Sequence, residues 1–208
     1  AGQGGDWRSS LAVWLGANRA PHLAGIHLNM LPLRRDAVAF AHPSPAEQQY
    51  LQALQHFLKE EAGYQAIQGT RPQTLAFALA DSPVGLAAWF SEKYRAWTDN
   101  RGDPREALSM DQMLGNLSLY WFTGCIGASF WPYYARLHGP WPIEGRIAVP
   151  TGYAAFPREI LRPPREAAQR QFTDIRRWSP MPRGGHFAAW EQPDALAGEI
   201  RAFFRDLL

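Results

Sequence analysis

The sequence predicts an α/β chain in which a helical block interrupts a strand-and-helix scaffold. Three observations carry this reading. A tight turn, a helix and a strand follow one another over residues 3–30. Apolar residues then recur at helical spacing and strand signals vanish. Strand character returns after residue 142, and the chain closes on an amphipathic helix. The expected organisation is scaffold over 1–32, helical insertion over 33–142 and scaffold over 143–208. With 208 residues, 46% of them hydrophobic, the chain can bury a sizeable core and is too apolar for a disordered segment.

The elements follow in order. Gln3-Gly4-Gly5-Asp6-Trp7 precedes a helical stretch from Ser9 to Asn18, which carries Leu11, Val13, Trp14 and Leu15. Pro21 breaks the chain, and Leu23 to Met30 reads as a buried strand. Ser44-Pro45-Ala46-Glu47 is a helix start, with a capping hydroxyl, proline in the first turn and an early acid. That helix is expected to run through Tyr50, Leu51, Leu54, Phe57 and Leu58. Asp81-Ser82-Pro83 starts another, and Ser109 to Tyr134 reads as a third helical region. Ile147 to Gly152 reads as a strand, Asp174 to Ser179 as a weaker one, and Pro193 to Leu208 as the closing helix.

Charge and cysteine usage exclude several classes. The net charge of +2 and the lack of a basic run argue against a nucleic-acid partner. The single cysteine, Cys125, rules out an internal disulfide and a cysteine-based zinc site, and is expected to be a buried, inert thiol. Neither a transmembrane-length apolar run nor a signal peptide is visible, and a cytoplasmic location is expected.

Three segments carry chemistry. Gly4-Gly5-Asp6-Trp7 fits a nucleophile elbow, where small residues let a strand and a helix approach and one side chain is presented on a sharp turn. A carboxylate there attacks an electrophilic carbon and forms an ester. The backbone N–H of Trp7 is placed to stabilise an oxyanion. An aspartate capping the following helix satisfies the same four residues. Arg183-Gly184-Gly185-His186-Phe187 holds an imidazole in a glycine loop ahead of a helix. His22, His42, His56 and His138 read as surface or turn residues, and His27 as a structural or satisfied strand histidine. Glu159, shortly after a scaffold strand, is placed to orient His186, although an exposed surface acid fits too.

These segments together resemble the microsomal and juvenile-hormone type of epoxide hydrolase and its bacterial relatives. The matching stretches are Gln3-Gly4-Gly5-Asp6-Trp7, Gly25 to Met30, Asp81 to Trp89, Leu119 to Gly124, Val149 to Gly152 and Arg183 to Ala189, in the family's order. The resemblance implies an α/β-hydrolase fold, here a partial sheet starting at the elbow, with an inserted all-helical lid. It puts the nucleophile on Asp6, the acid on Glu159 and the base on His186. It puts the two lid tyrosines that hold the epoxide oxygen on Tyr64 and on Tyr133, with Tyr134 as a register alternative. Without it, Tyr64 is an ordinary helix-face aromatic. The implied reaction opens an epoxide to a vicinal diol, with neither metal nor organic cofactor. Trp89, Trp121 and Phe187 are pocket candidates for a small apolar or aromatic epoxide, with core packing as the competing explanation of the lid's aromatics. A homodimer is left open.

Two departures qualify the resemblance. The family carries a long amino-terminal segment with further strands and a His-Gly-x-Pro oxyanion loop. His138-Gly139-Pro140-Trp141 is similar only superficially, because it follows the lid. The missing half is therefore expected, covalently or as a second chain. Arg8 stands where a small residue is expected and would crowd the strand–helix contact, at about 1–3 kcal/mol if buried. Two other functions stay open: a haloalkane-dehalogenase-like hydrolase, sharing the Asp6-Trp7 pair, and an inactive piece surviving as an interaction module.

Overall fold

A computed structural model describes residues 1–33, 40–139 and 145–207, and divides the chain into two compact units. The first comprises Ala1–Leu54 and Ile143–Leu208, the second Gln55–Pro142. The helical unit thus starts later than residue 33. Residues up to Leu54 belong to the scaffold unit, within which the buried Glu47 carboxylate pairs with Arg170 and the Ser44 hydroxyl donates to Glu166. Pro140 and Trp141, of the His-Gly-Pro-Trp stretch, lie outside the described residues.

The scaffold unit is built on four parallel strands in the order β1-β2-β3-β4: β1 (Gly2–Gly4), β2 (Ile26–Leu28), β3 (Thr151–Ala155) and β4 (Ile175–Pro180). Helix α1 (Asp6–Asn18) crosses from β1 to β2. The register pairs Gly4 with Leu28 and Leu28 with Tyr153. β3 is buried on both faces, as an inner parallel strand requires. Its side chains alternate: Tyr153 joins Val13, Ile26, Leu28 and Phe172 on one side, while Ala154 packs with Phe156, Ala188 and Leu196 on the other. The expected strand, Ile147–Gly152, overlaps it only at Thr151 and Gly152. Ile147 and Val149 are core residues of the approach to it, and Ile147 makes an isolated bridge with Phe172. Their apolar character reports burial rather than strand pairing. Helix α8 (Pro193–Arg205) buries Leu196 and Phe203 with Ile200 between them, one face at i, i+4 and i+7.

Helix α2 (Pro45–His56) opens as its sequence predicts: Ser44 N–H donates to the Glu47 carboxylate at 2.9 Å, and Glu47 N–H returns to Ser44 Oγ at 3.3 Å. It gives way to a π-helical turn at Phe57–Glu61 instead of running on through Leu58. The helical unit then holds α3 (Gly63–Thr70), α4 (Pro72–Asp81), α5 (Pro83–Trp97), α6 (Met110–Thr123) and α7 (Ile126–His138). Ser82 caps α5 by accepting from Gly85 N–H at 3.0 Å. Ser109 and Gln112 form a reciprocal box at the start of α6. The region from Ser109 to Tyr134 is two helices rather than one, because Gly124 takes a left-handed conformation (φ 65°) and ends the first. Cys125 caps the second and is half-buried rather than buried. The core of this unit is Leu79, Leu86, Ile126 and Phe130. Among the described residues, no helix is long and apolar enough to cross a membrane.

Candidate active site

The sharp turn between β1 and α1 forces the first functional group into place. Asp6 has φ +46°, and among the described residues it is the only non-glycine in the left-handed region. Such a conformation costs on the order of 1–3 kcal/mol and persists only where the surroundings impose it. They do so by proximity. A Cβ on Gly4 would lie 2.5 Å from the Arg8 backbone, and one on Gly5 would lie 2.5 Å from the Asn29 amide. Asn29 is itself held by Gln3, whose side-chain amide donates to it at 2.9 Å. The small side chain facing the strand is Ser9, fully buried, its hydroxyl donating to the Asp6 carbonyl at 2.6 Å. Arg8 is exposed, so the expected crowding does not arise. Asp6 is not the helix cap either: Gly5 holds that position, without a side-chain bond. Trp7 is the second residue of α1, so its N–H belongs to the first-turn donors outside the helical ladder.

The other two groups arrive from loops beyond the carboxyl ends of β3 and β4, where parallel sheets place their sites. His186 Nδ1 donates to Glu159 Oε1 at 2.7 Å. Both residues are buried, His186 at 8% and Glu159 at 3% exposure, which removes the surface-acid reading of Glu159. The same carboxylate oxygen accepts the Ile160 N–H at 2.7 Å, fixing its orientation. Gly184 makes the loop possible with φ +110°, and a Cβ there would strike the Phe156 ring at 2.7 Å. Burial is the largest single influence on the His186 proton and disfavours the cation. The Glu159 charge and hydrogen bond, with the charges of Asp6 and Glu191, outweigh it and raise the pKa above the ordinary imidazole value. With Nδ1 donating to Glu159, Nε2 is the ring nitrogen that carries the acceptor lone pair in the neutral imidazole. Phe187 packs edge-on against His186, ring centroids 5.2 Å apart, and stacks with Trp190.

The remaining candidates belong to the helical unit. Tyr64 is the second residue of α3, just beyond the π-helical turn, and Tyr133 lies on α7. Their rings meet edge to face with centroids 5.6 Å apart. Tyr134 turns instead to His138, stacked at 4.0 Å, and to Trp131. Geometry therefore pairs Tyr133 with Tyr64. The Lys93 ammonium lies 4.7 Å from the Tyr64 ring centroid and 5.0 Å from that of Trp97. Trp89 and Trp121 pack against the core of this unit. Among the described residues, no three His, Cys, Asp or Glu side chains converge as a metal site would require.

Sequence reasoning missed Asn29, Glu191 and Lys93. Asn29 meets Gln3 and Gly5 across the β1–β2 pairing, Glu191 reaches back four and six residues to main-chain N–H groups of a loop whose path residue order does not give, and Lys93 reaches Tyr64 from another helix. His27 is a structural strand histidine, as one of the two expected readings had it, but not a satisfied one. It is fully buried, and neither ring nitrogen has a hydrogen-bond partner among the described residues.

The parallel sheet, the strained acid elbow and the buried acid–imidazole pair define a chain of the α/β-hydrolase fold. Known proteins make the assignment narrower. The chain is 43% identical over 205 residues to a Stigmatella aurantiaca protein named "Putative epoxide hydrolase", covering 99% of this chain and 46% of that protein. It is 34% identical over 226 residues to Epoxide hydrolase 1 of Sus scrofa, covering 97% of this chain and 50% of the relative. Its structure superposes on the juvenile hormone epoxide hydrolase from the silkworm Bombyx mori with a TM-score of 0.89 and 27% identity, over 99% of this chain and 54% of the other. The chain is homologous to the epoxide hydrolases across nearly its whole length, and spans about half the length of the curated relatives it matches. No known family profile matches it.

Proposed function

We propose that the protein carrying this chain opens apolar or aromatic epoxides to vicinal diols through an ester on Asp6. The observation that carries the reading is the pairing of a carboxylate at a strained elbow with an imidazole that feels its charge and is held by Glu159 at 2.7 Å. The names of the relatives supply the substrate class. In the first step an Asp6 oxygen bonds to an epoxide carbon and the ring C–O bond breaks. The departing oxygen takes a proton from Tyr64 or Tyr133, because an alkoxide is a poor leaving group in an apolar pocket. In the second, His186 Nε2 takes a proton from water, and the hydroxide adds to the Asp6 carbonyl carbon. The oxyanion formed is stabilised by the Trp7 N–H. Collapse breaks the ester, the diol oxygen takes its proton from His186, and the acid proton left on Asp6 passes through water to the tyrosine phenolate of the first step, which restores both the carboxylate and the phenol.

The test uses the full-length protein and styrene oxide. His186→Gln is expected to form the Asp6 ester and stall there, seen as a mass increase of one substrate on the peptide containing Asp6. Bromoalkane turnover without epoxide turnover in the unsubstituted protein would sink the assignment in favour of a dehalogenase.

A further inference from the structure

Glu191 takes no part in the bond-making steps above, yet its carboxylate is buried beside the base. Oε2 accepts the Gly185 N–H at 3.0 Å and Oε1 accepts the Phe187 N–H at 3.0 Å. One carboxylate thus grips the main chain on both sides of His186. The start of the loop is tied separately, by Arg158 N–H donating to the Gly184 carbonyl at 3.0 Å. This grip uses two acceptor oxygens, which an amide, with one oxygen and a donating NH2, does not offer, and burying the charge that comes with them is costly. What a charge adds is its field on the imidazole, which becomes a cation when it takes a proton from water. The groups acting on His186 are the Glu159, Asp6 and Glu191 carboxylates, set against burial.

We propose that Glu191 is a positioning residue for the second half of the reaction: it clamps the His186 main chain through two N–H groups and lends its charge to the imidazolium formed there. This rests on the epoxide-opening reading. It predicts that Glu191 matters to hydrolysis of the ester and not to its formation.

The experiment is single-turnover kinetics of the full-length protein with styrene oxide, with ester measured by mass spectrometry after acid quench and diol by chromatography. Glu191→Ala is expected to slow ester hydrolysis roughly 10- to 100-fold, the scale on which partners one step removed from a reacting group act. Ester formation should stay within about threefold, so the ester accumulates. Glu191→Gln keeps the shape, loses the charge and keeps one of the two acceptor oxygens. Its acid limb for ester hydrolysis should move to lower pH, because less negative charge supports the protonated imidazole. Folding of each variant is checked by circular dichroism, and Glu191→Gln decides the matter if Glu191→Ala does not fold. A folded Glu191→Gln that hydrolyses the ester at the unsubstituted rate with an unmoved acid limb overturns the proposal. So does an equal loss in both steps. His186→Gln separates this from the parent reading: if that variant traps no ester, the parent mechanism fails, whereas an ester trapped there and not in the Glu191 variants defeats Glu191 alone.

Discussion

In the scaffold unit, Asp6, Glu159 and His186 are held by backbone constraint: a strained φ, glycines with no room for a Cβ, and main-chain N–H groups gripped by carboxylates. In the helical unit, Tyr64 and Tyr133 are held by rings and a cation, and a Cβ on Gly63, the residue before Tyr64, would meet nothing. The contrast follows from the chemistry proposed for each. A nucleophile and a base must meet reacting atoms within tenths of an ångström, so their main chain is fixed. A phenol donating a proton tolerates some ring movement, and the side chain supplies the adjustment.

The contrast can be broken by experiment, and the largest effect is expected in the tyrosine pair. Tyr64→Phe combined with Tyr133→Phe should lower kcat/KM for styrene oxide by about 10²-fold or more, by slowing ester formation. That is the opposite half-reaction from the one His186→Gln stalls. Unchanged diol production in the double variant refutes the tyrosine roles.

Next comes acid sensitivity of the scaffold. Burial holds the His27 pKa at about 4 against an ordinary 6.5, with the Glu199 charge opposing and the Arg177 charge reinforcing. The unfolded chain takes up this proton below about pH 6.5, whereas the folded chain does not until about pH 4. Stability from this residue is therefore complete above pH 6.5 and falls as the pH drops towards 4, by roughly 3 kcal/mol in all. Urea unfolding at pH 7 and pH 4.5 measures it. His27→Leu should narrow the difference between the two midpoints, and an unaltered difference contradicts the assignment.

The smallest and sharpest comparison sets two glycines side by side. Gly4→Ala places a methyl within 2.5 Å of backbone and should destabilise the protein by about 1–3 kcal/mol. Gly115→Ala, inside α6 with open space around it, should stabilise it by about 0.5–1 kcal/mol. Thermal unfolding of the two variants should move in opposite directions. Movement in the same direction contradicts the view that one region is rigid by contact and the other is not.

The amino-acid order alone determined the α/β class, the helical interruption, the cap at Ser44, the helix starts at Asp81-Ser82-Pro83 and Ser109, and the identity of Asp6, Glu159 and His186 as candidates. These are local matters: hydrophobic period, capping chemistry and glycine next to a reactive side chain are written within a few residues of one another. Strand limits were less legible, because Ile147 and Val149 are as apolar as any strand and are buried without belonging to one. The break at Gly124 was missed because one glycine weighs little against a long run of helical spacing. Tertiary structure alone decided that Arg8 points outward, that Tyr133 rather than Tyr134 meets Tyr64, and that Glu191 closes on both neighbours of His186. The first two depend on which atoms become neighbours once strands pair and helices pack, which no spacing along the chain encodes; the Glu191 contacts span only four and six residues, but they depend on the backbone path of the loop, which residue order does not give.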